Sequence, residues 1–513
     1  MHRDAWLALA LVVGVGAASV VPAGCSQSAA PAAQGPTGTR DELLDPKTCG
    51  KCHTYHYSDW SLSMHAYAAD DPVFLAMNAR GQRETSGKLG TFCVKCHAPM
   101  AVRDGKTQDG LNLASVDPKY KGITCFFCHT VESVDGAHDA PLNLSTDLAM
   151  RGELSDPPPV ANTSHASVYS ELHDQSRLAS AQLCGPCHDI VTPQGAALER
   201  TYFEWAHSAY NTAGSAGQTC GTCHMKQGGV KQVIAPAVPG LQARYSHDHH
   251  FPAVDVALGP GAANAAIQKT LVQEALDETS IIGALCVTSL GGIRVLLDPL
   301  GLGHQWPSGA AQDRRAWAEV IAYRGGSVVY QSGVVPDGAA VTGLQNDPDL
   351  WLLRDRMFDA QCAPVSMFWQ AAKTSGNELP ALATFDAGDP AFYRTHAVKF
   401  FPQDGSPLPS GAPDRVTLRI RLQPVGLDVL DDLVQSGDLD PSIAPTMPTF
   451  DVSIMGPGGP RQIEWTPEAA SGDAGLQKFL DPFDKTTVTC VGASTFNSAV
   501  PPAPAPTMPP CTP

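Results

Sequence analysis

The chain has 513 residues, 43% of them apolar and 7% aromatic, with 34 Lys and Arg against 51 Asp and Glu. That length allows two domains with cores of their own. The formal charge of −17 argues against nucleic acid as a partner and against anionic lipid as a docking surface, which leaves neutral or basic proteins.

A polar start with Arg3, an apolar run from Trp6 to Val21 and the sequence Pro22-Ala23-Gly24-Cys25 read as an export signal over residues 1–24. The run is too short for a stable membrane span, and no later stretch of 18 apolar residues exists. Ala-Gly-Cys resembles a bacterial lipoprotein cleavage site, which would place lipid on Cys25 and make residues 25–44 a low-complexity tether. Pro22 stands where Leu is usual, so ordinary cleavage near Ala23 or Gly24 is the alternative. Either route delivers the chain to the periplasm or the outer-membrane surface of a Gram-negative bacterium, and contact with membrane is expected only through such an anchor.

Between residues 45 and 255 the pattern Cys-x-x-Cys-His occurs five times: Cys49/Cys52/His53, Cys93/Cys96/His97, Cys125/Cys128/His129, Cys184/Cys187/His188 and Cys220/Cys223/His224. Each is a haem attachment signature. Two thiols at this spacing bond two vinyl groups on one porphyrin edge, and the adjoining His becomes an axial ligand of the iron. Zinc would combine two half-motifs into one four-ligand set, whereas here every pair carries its own His and the number of pairs is odd. A redox Cys-x-x-Cys needs a thioredoxin-like strand and helix, which none of the five shows. The cofactors expected are therefore five covalently bound c-type haems. With so few residues per macrocycle, short helices and loops should wrap the porphyrins, and haems next to each other in sequence should touch.

Each iron needs a second axial ligand if it is to be closed to other molecules. The best placed histidines are His65, His165, His173 and the cluster His247-Asp248-His249-His250, with His304 among the further candidates. A weak repeat supports His65: Asp59-Trp60 with Ser63 resembles Glu204-Trp205 with Ser208, and Tyr210 stands in the second copy where His65 stands in the first. His56, three residues past the first motif, is too close to ligate its own haem, and His207 is a weaker candidate than His65. No residue is assigned to catalysis.

From about Ala275 to residue 465 the texture changes. Segments such as Val320–Tyr323, Ser327–Tyr330, Val416–Leu422 and Phe450–Ile454 read as strands between Gly, Pro and Asp turns. This predicts a β-rich, sandwich-like domain, followed by a Pro/Ala-rich tail over residues 466–513. The fold class expected is thus α+β, a largely irregular, short-helix multihaem domain followed by the β-rich one. Cys286, Cys362, Cys490 and Cys511 are left for disulfides, with the pairing open.

The motif region resembles the bacterial multihaem cytochromes of the cytochrome c-554 type, through Cys49 to Val73, Phe92 to Met100, Ile123 to Val131 and Leu183 to Tyr210. Gly303-His304-Gln305-Trp306-Pro307-Ser308-Gly309 is similar to a segment that opens the β-rich part of such proteins, which implies that His304 caps a haem from across the domain boundary. The resemblance implies electron transfer through bis-His haems, with other cytochromes or a quinol-linked donor as redox partners. No Cys-x-x-Cys-Lys occurs, so the chain departs from the pentahaem nitrite reductases. Two alternatives stay open: a reductase or oxidase of a small nitrogen-oxide or peroxide substrate at one five-coordinate haem, and a structural subunit of an extracellular electron conduit.

Overall fold

The computed structural model describes residues 37–155, 163–279, 281–341 and 347–470, with two short strands at Thr487–Val488 and Phe496–Asn497. The signal, Cys25, most of the tether, Cys490, Cys511 and most of the tail lie outside these residues. Cys286 and Cys362 are both disulfide-bonded.

Residues up to about 225 form helices mostly of four to eight residues. Local chemistry sets their ends. Asp71 accepts from Val73 N at 3.0 Å and Pro72 opens the helix Pro72–Glu84, the longest of this region. Ser63 caps Met64–Tyr67 by accepting from Ala66 N at 3.2 Å. Between the helices lie two-stranded ribbons, including Gln227–Gln232 with Arg244–His247.

The second half is β-rich, and the chain is α+β. A six-stranded sheet is built on Arg315–Arg324 and Arg415–Gln423, which pair antiparallel over nine residues, with Ala318 opposite Ile420 and Val320 opposite Leu418. Ser327–Ser332 and Trp351–Leu353 extend the first of these strands, Phe450–Val452 and Gln462–Trp465 the second. A three-stranded sheet of Ile282–Val287, Ile293–Asp298 and Ala397–Phe401 packs on it, and Val295, Leu297 and Phe401 share one apolar cluster with Ala318, Leu418, Ile420 and Trp465. A smaller sheet joins Asp355–Phe358 to Pro364–Val365 and Lys373–Gly376.

The main cluster also contains Val73, Ala76 and Leu89 from the motif region, so the two halves share a core rather than meeting at a linker. The helix Ala265–Asp277 fills the stretch between them, and Gln268 Nε2 donates to Leu62 O at 2.9 Å. Trp369 Nε1 donates to Glu84 Oε2 at 2.9 Å across the same boundary. No helix among the described residues is long and apolar enough to cross a membrane.

Ile420 lies wholly inside this core. Ile420→Ala should lower stability by about 2–5 kcal/mol, read as a fall in Tm with the number of attached haems unchanged.

Candidate haem sites

The motifs sit on single helical turns. Thr124 caps Cys125–Thr130 by accepting from Phe127 N at 3.3 Å, and Thr219 caps Cys220–His224 in the same way, from Thr222 N at 3.2 Å. On such a turn residues three and four apart share a face, which puts both thiols and the imidazole on one side.

Just before each of these two turns an indole is anchored. Trp60 Nε1 donates to Ile123 O at 2.8 Å, and Trp205 Nε1 donates to Gln218 O at 2.7 Å. Ser63 and Ser208 each donate back to the Trp carbonyl three residues earlier, at 2.7 and 2.8 Å. The weak sequence repeat is therefore a structural one: each copy clamps the carbonyl two residues ahead of a motif.

Thiols of different motifs meet. Cys49 is hydrogen-bonded to Cys125, Cys96 to Cys187 and Cys184 to Cys220, while Cys128 and Cys184 are electrostatic neighbours. The first motif thus touches the third, the second the fourth and the fourth the fifth. The third and fourth motifs and the fourth and fifth are neighbours in sequence and meet, whereas the first meets the third and the second the fourth by skipping one. Loops between motifs are long enough to let the chain skip a position, so contact order does not follow chain order.

Four motif imidazoles face a second imidazole. Ring centroids are 6.2 Å apart for His53 and His165, 6.3 Å for His188 and His65, 6.3 Å for His224 and His304, and 5.7 Å for His129 and His173. Two imidazoles on opposite sides of one metal ion, with metal–nitrogen bonds of about 2.0–2.1 Å, place their centroids about 6.2–6.4 Å apart. The first three pairs match that spacing.

Hydrogen bonds set which nitrogen points inward. Nδ1 of His53, His97, His129 and His224 is held by the carbonyls of Ile234, Ala68, Arg151 and Pro252, at 3.1, 3.0, 2.6 and 3.0 Å. His165 and His304 use the carbonyls of Ala166 and Gln305 at 3.0 and 2.8 Å. Each bond fixes the tautomer that leaves Nε2 free. Burial, with cationic neighbours second, pushes His65 down to about 3 and His188 to about 4, so both rings stay in the neutral form that binds metal. His188 is nonetheless exposed while closely surrounded by chain, which marks a hollow rather than the outer surface. Thiol pairs, free Nε2 atoms and a hollow between facing rings fit a c-type haem.

Two of the histidines singled out in the sequence lie elsewhere. His247 has both nitrogens engaged, Nε2 with Glu153 at 2.9 Å and Nδ1 with Gln175. His249 packs edge-on against His56 at 4.8 Å and faces no motif imidazole. Neither ring is paired with a motif imidazole in this arrangement. His173 faces His129, but its Nε2 contacts Cys128 O at 2.8 Å and would have to exchange that bond for metal. At His97 the neighbour is Phe74, stacked on the ring at 4.0 Å and 4°, and no histidine among the described residues faces it. Sequence patterning offered no sign of this phenyl, which lies on an ordinary apolar helix face.

Residues 48–130 match the family described as cytochrome c554 and c-prime. The fold is similar to the crystal structure of a penta-haem cytochrome c552 from Thermochromatium tepidum, with a TM-score of 0.54 and 19% identity, covering 83% of this chain and 99% of that one. No curated protein matches. Fold and site together define a multihaem c-type cytochrome. Within that class, residues 48–130, which hold the first three motifs, are similar to the cytochrome c554 type.

Two measurements test this geometry. Trp60→Phe leaves the Ile123 carbonyl unpaired and should cost about 1–3 kcal/mol in thermal unfolding, and Trp205→Phe should cost a similar amount. The bond to Asp248, then the charge of Asp59, raise His250 above its ordinary value, so this contact stabilises the fold in acid and loses its effect as pH rises through the raised value. Asp248→Asn should therefore lower Tm more at about pH 6 than at about pH 9.

Proposed function

We propose that this chain is an exported pentahaem cytochrome that passes electrons between redox proteins. The observation that carries the reading is the three facing imidazole pairs at 6.2–6.3 Å, each holding one motif histidine. The haems, when bound, supply the one-electron chemistry. The protein's part is to orient ligands, keep imidazoles neutral and bring attachment points close. Cys49, Cys52, Cys93, Cys96, Cys125, Cys128, Cys184, Cys187, Cys220 and Cys223 would hold the five haems, and His53, His97, His129, His188 and His224 would ligate them. His165, His173, His65 and His304 would fill the second positions at the first, third, fourth and fifth. The meeting thiols support a connected path with branches at the fourth motif, suited to donors and acceptors docking at different ends. Export to the periplasm or outer-membrane surface, with lipid on Cys25, completes the proposal.

A second reading is favoured at one place only. Phe74 stacks on the face of His97 itself, and no histidine among the described residues pairs with that ring, so the second haem would be open to a small ligand, which a nitrogen-oxide or peroxide reductase or oxidase requires.

Electron paramagnetic resonance of the oxidised protein should show four low-spin irons and one high-spin iron that shifts on adding cyanide. His65→Ala and His304→Ala should each convert one further iron to high spin. Unchanged spectra in both variants would refute the ligand assignment, and five low-spin irons indifferent to cyanide would remove the second reading.

A further inference from the structure

The boundary between the motif region and the smaller sheet is unusually acidic. Glu204, on the helix Thr201–Ala206, accepts from Ser308 Oγ at 2.7 Å and from Gln305 N at 3.1 Å, beside His304. Trp306 and Leu379 exchange backbone hydrogen bonds at 2.9 and 2.8 Å, which ties the His304 segment to the residue after Glu378. Bridged backbones lie about 5 Å apart, so Glu378 is on the order of 10 Å from the His304 backbone.

Glu378 and Asp355 are hydrogen-bonded to each other over Gly376, where a Cβ would collide with both carboxyl groups. Glu378 Oε1 is sealed from solvent and has no hydrogen-bond partner. The charged groups facing the pair are Glu204 and Arg354. Arg354 directs Nε to the Asp355 backbone carbonyl at 3.0 Å, and no ion pair among the described residues reaches either carboxyl. Two adjoining buried carboxyl groups with no cation bonded to either cannot both ionise, so they hold a proton between them. Structural acid pairs normally recruit Arg or Lys, and the chain does so nearby: Arg314 binds Asp255 through both terminal nitrogens at 2.9 and 3.0 Å. At Asp355 and Glu378 it does not.

We propose that Asp355 and Glu378 form a proton-binding dyad coupled to the haem held between His224 and His304, taking one proton from water for each electron that haem receives. The proposal rests on the His304 assignment above. A one-electron reductant, in the cell a partner redox protein, supplies the electron. Added negative charge at the haem favours the carboxylic acid form, and oxidation returns the proton to water. Burial and the charge of Glu204 raise Asp355 to about 6, against the hydrogen bond from Glu378, which lowers it. Burial, then the charge of Asp355, hold Glu378 far above its ordinary range. Glu378 therefore keeps its proton near neutrality, and Asp355 accepts the second.

The test is a redox titration of the full haem-loaded protein, with dithionite as reductant, at a series of pH values. One potential should fall by about 59 mV for each tenfold drop in proton concentration above about pH 6. Asp355→Asn removes the carboxylate that takes this proton and should abolish that slope. Reduced-minus-oxidised infrared spectra should show the carbonyl band of a newly formed carboxylic acid, absent in Asp355→Asn. Potentials independent of pH in the unaltered protein, or a slope and band that persist in Asp355→Asn, would overturn the proposal. His304→Ala separates the two readings: an unchanged spin state there refutes the ligand assignment whatever the dyad does. Should either variant lose its haems, the infrared band of the unaltered protein, traced by its shift in heavy water and by carboxyl labelling of Asp, decides alone.

Discussion

A neutral imidazole with one nitrogen free and the other fixed is the constraint on which the first half of this chain depends. Water would let the ring protonate and rotate. The structure removes both freedoms together: enclosure disfavours the cation, and a backbone carbonyl on Nδ1 sets tautomer and direction. Because a carbonyl is needed beside each ring, long regular helices, which use their carbonyls internally, are ill suited to the task. Short turns with capping Thr and Ser residues supply both the motif geometry and the loose carbonyls around it.

The price of that arrangement is a region with little packed core of its own. Its second cluster gathers Leu43, Leu44, Phe74, Val94, Met100 and Phe126, whereas the larger cluster belongs to the strands and draws in Val73, Ala76 and Leu89. The β-rich half is thus a structural foundation as well as the source of His304. Gly303 lies against Trp205 Cδ1, where a Cβ would sit at 3.4 Å, so the same indole that clamps the fifth motif also seats the His304 segment.

Much of this was legible from sequence where covalent spacing or local repetition carried the signal. The five motifs are defined by bond geometry alone, and the Trp-Ser repeat predicted a shared local structure that the paired hydrogen bonds display. Strands with turn signals on both sides, such as Arg315–Arg324, were readable, but Ile282–Val287 and Ile293–Asp298 were missed, because both are buried along their length and neither alternates apolar with polar residues. The cluster at 247–250 shows a related limit: proximity along the chain says nothing of where a ring points, and Glu153 and Gln175, which engage His247, are far away in sequence. Phe74 and the pair Asp355–Glu378 carry no local signature, since both gain their meaning from partners that only the fold supplies.

The long interval between His224 and His304 gives the molecule a built-in record of its own completion. On the proposed ligation the fifth attachment point leaves the ribosome some eighty residues before the ring that faces it, and the segment after that ring is tied down only when Leu379 has bridged to Trp306. A nascent or clipped chain would carry every covalent attachment and still lack one ligand. Colour would then distinguish finished molecules from unfinished ones in a crude extract, before any assay of what they do.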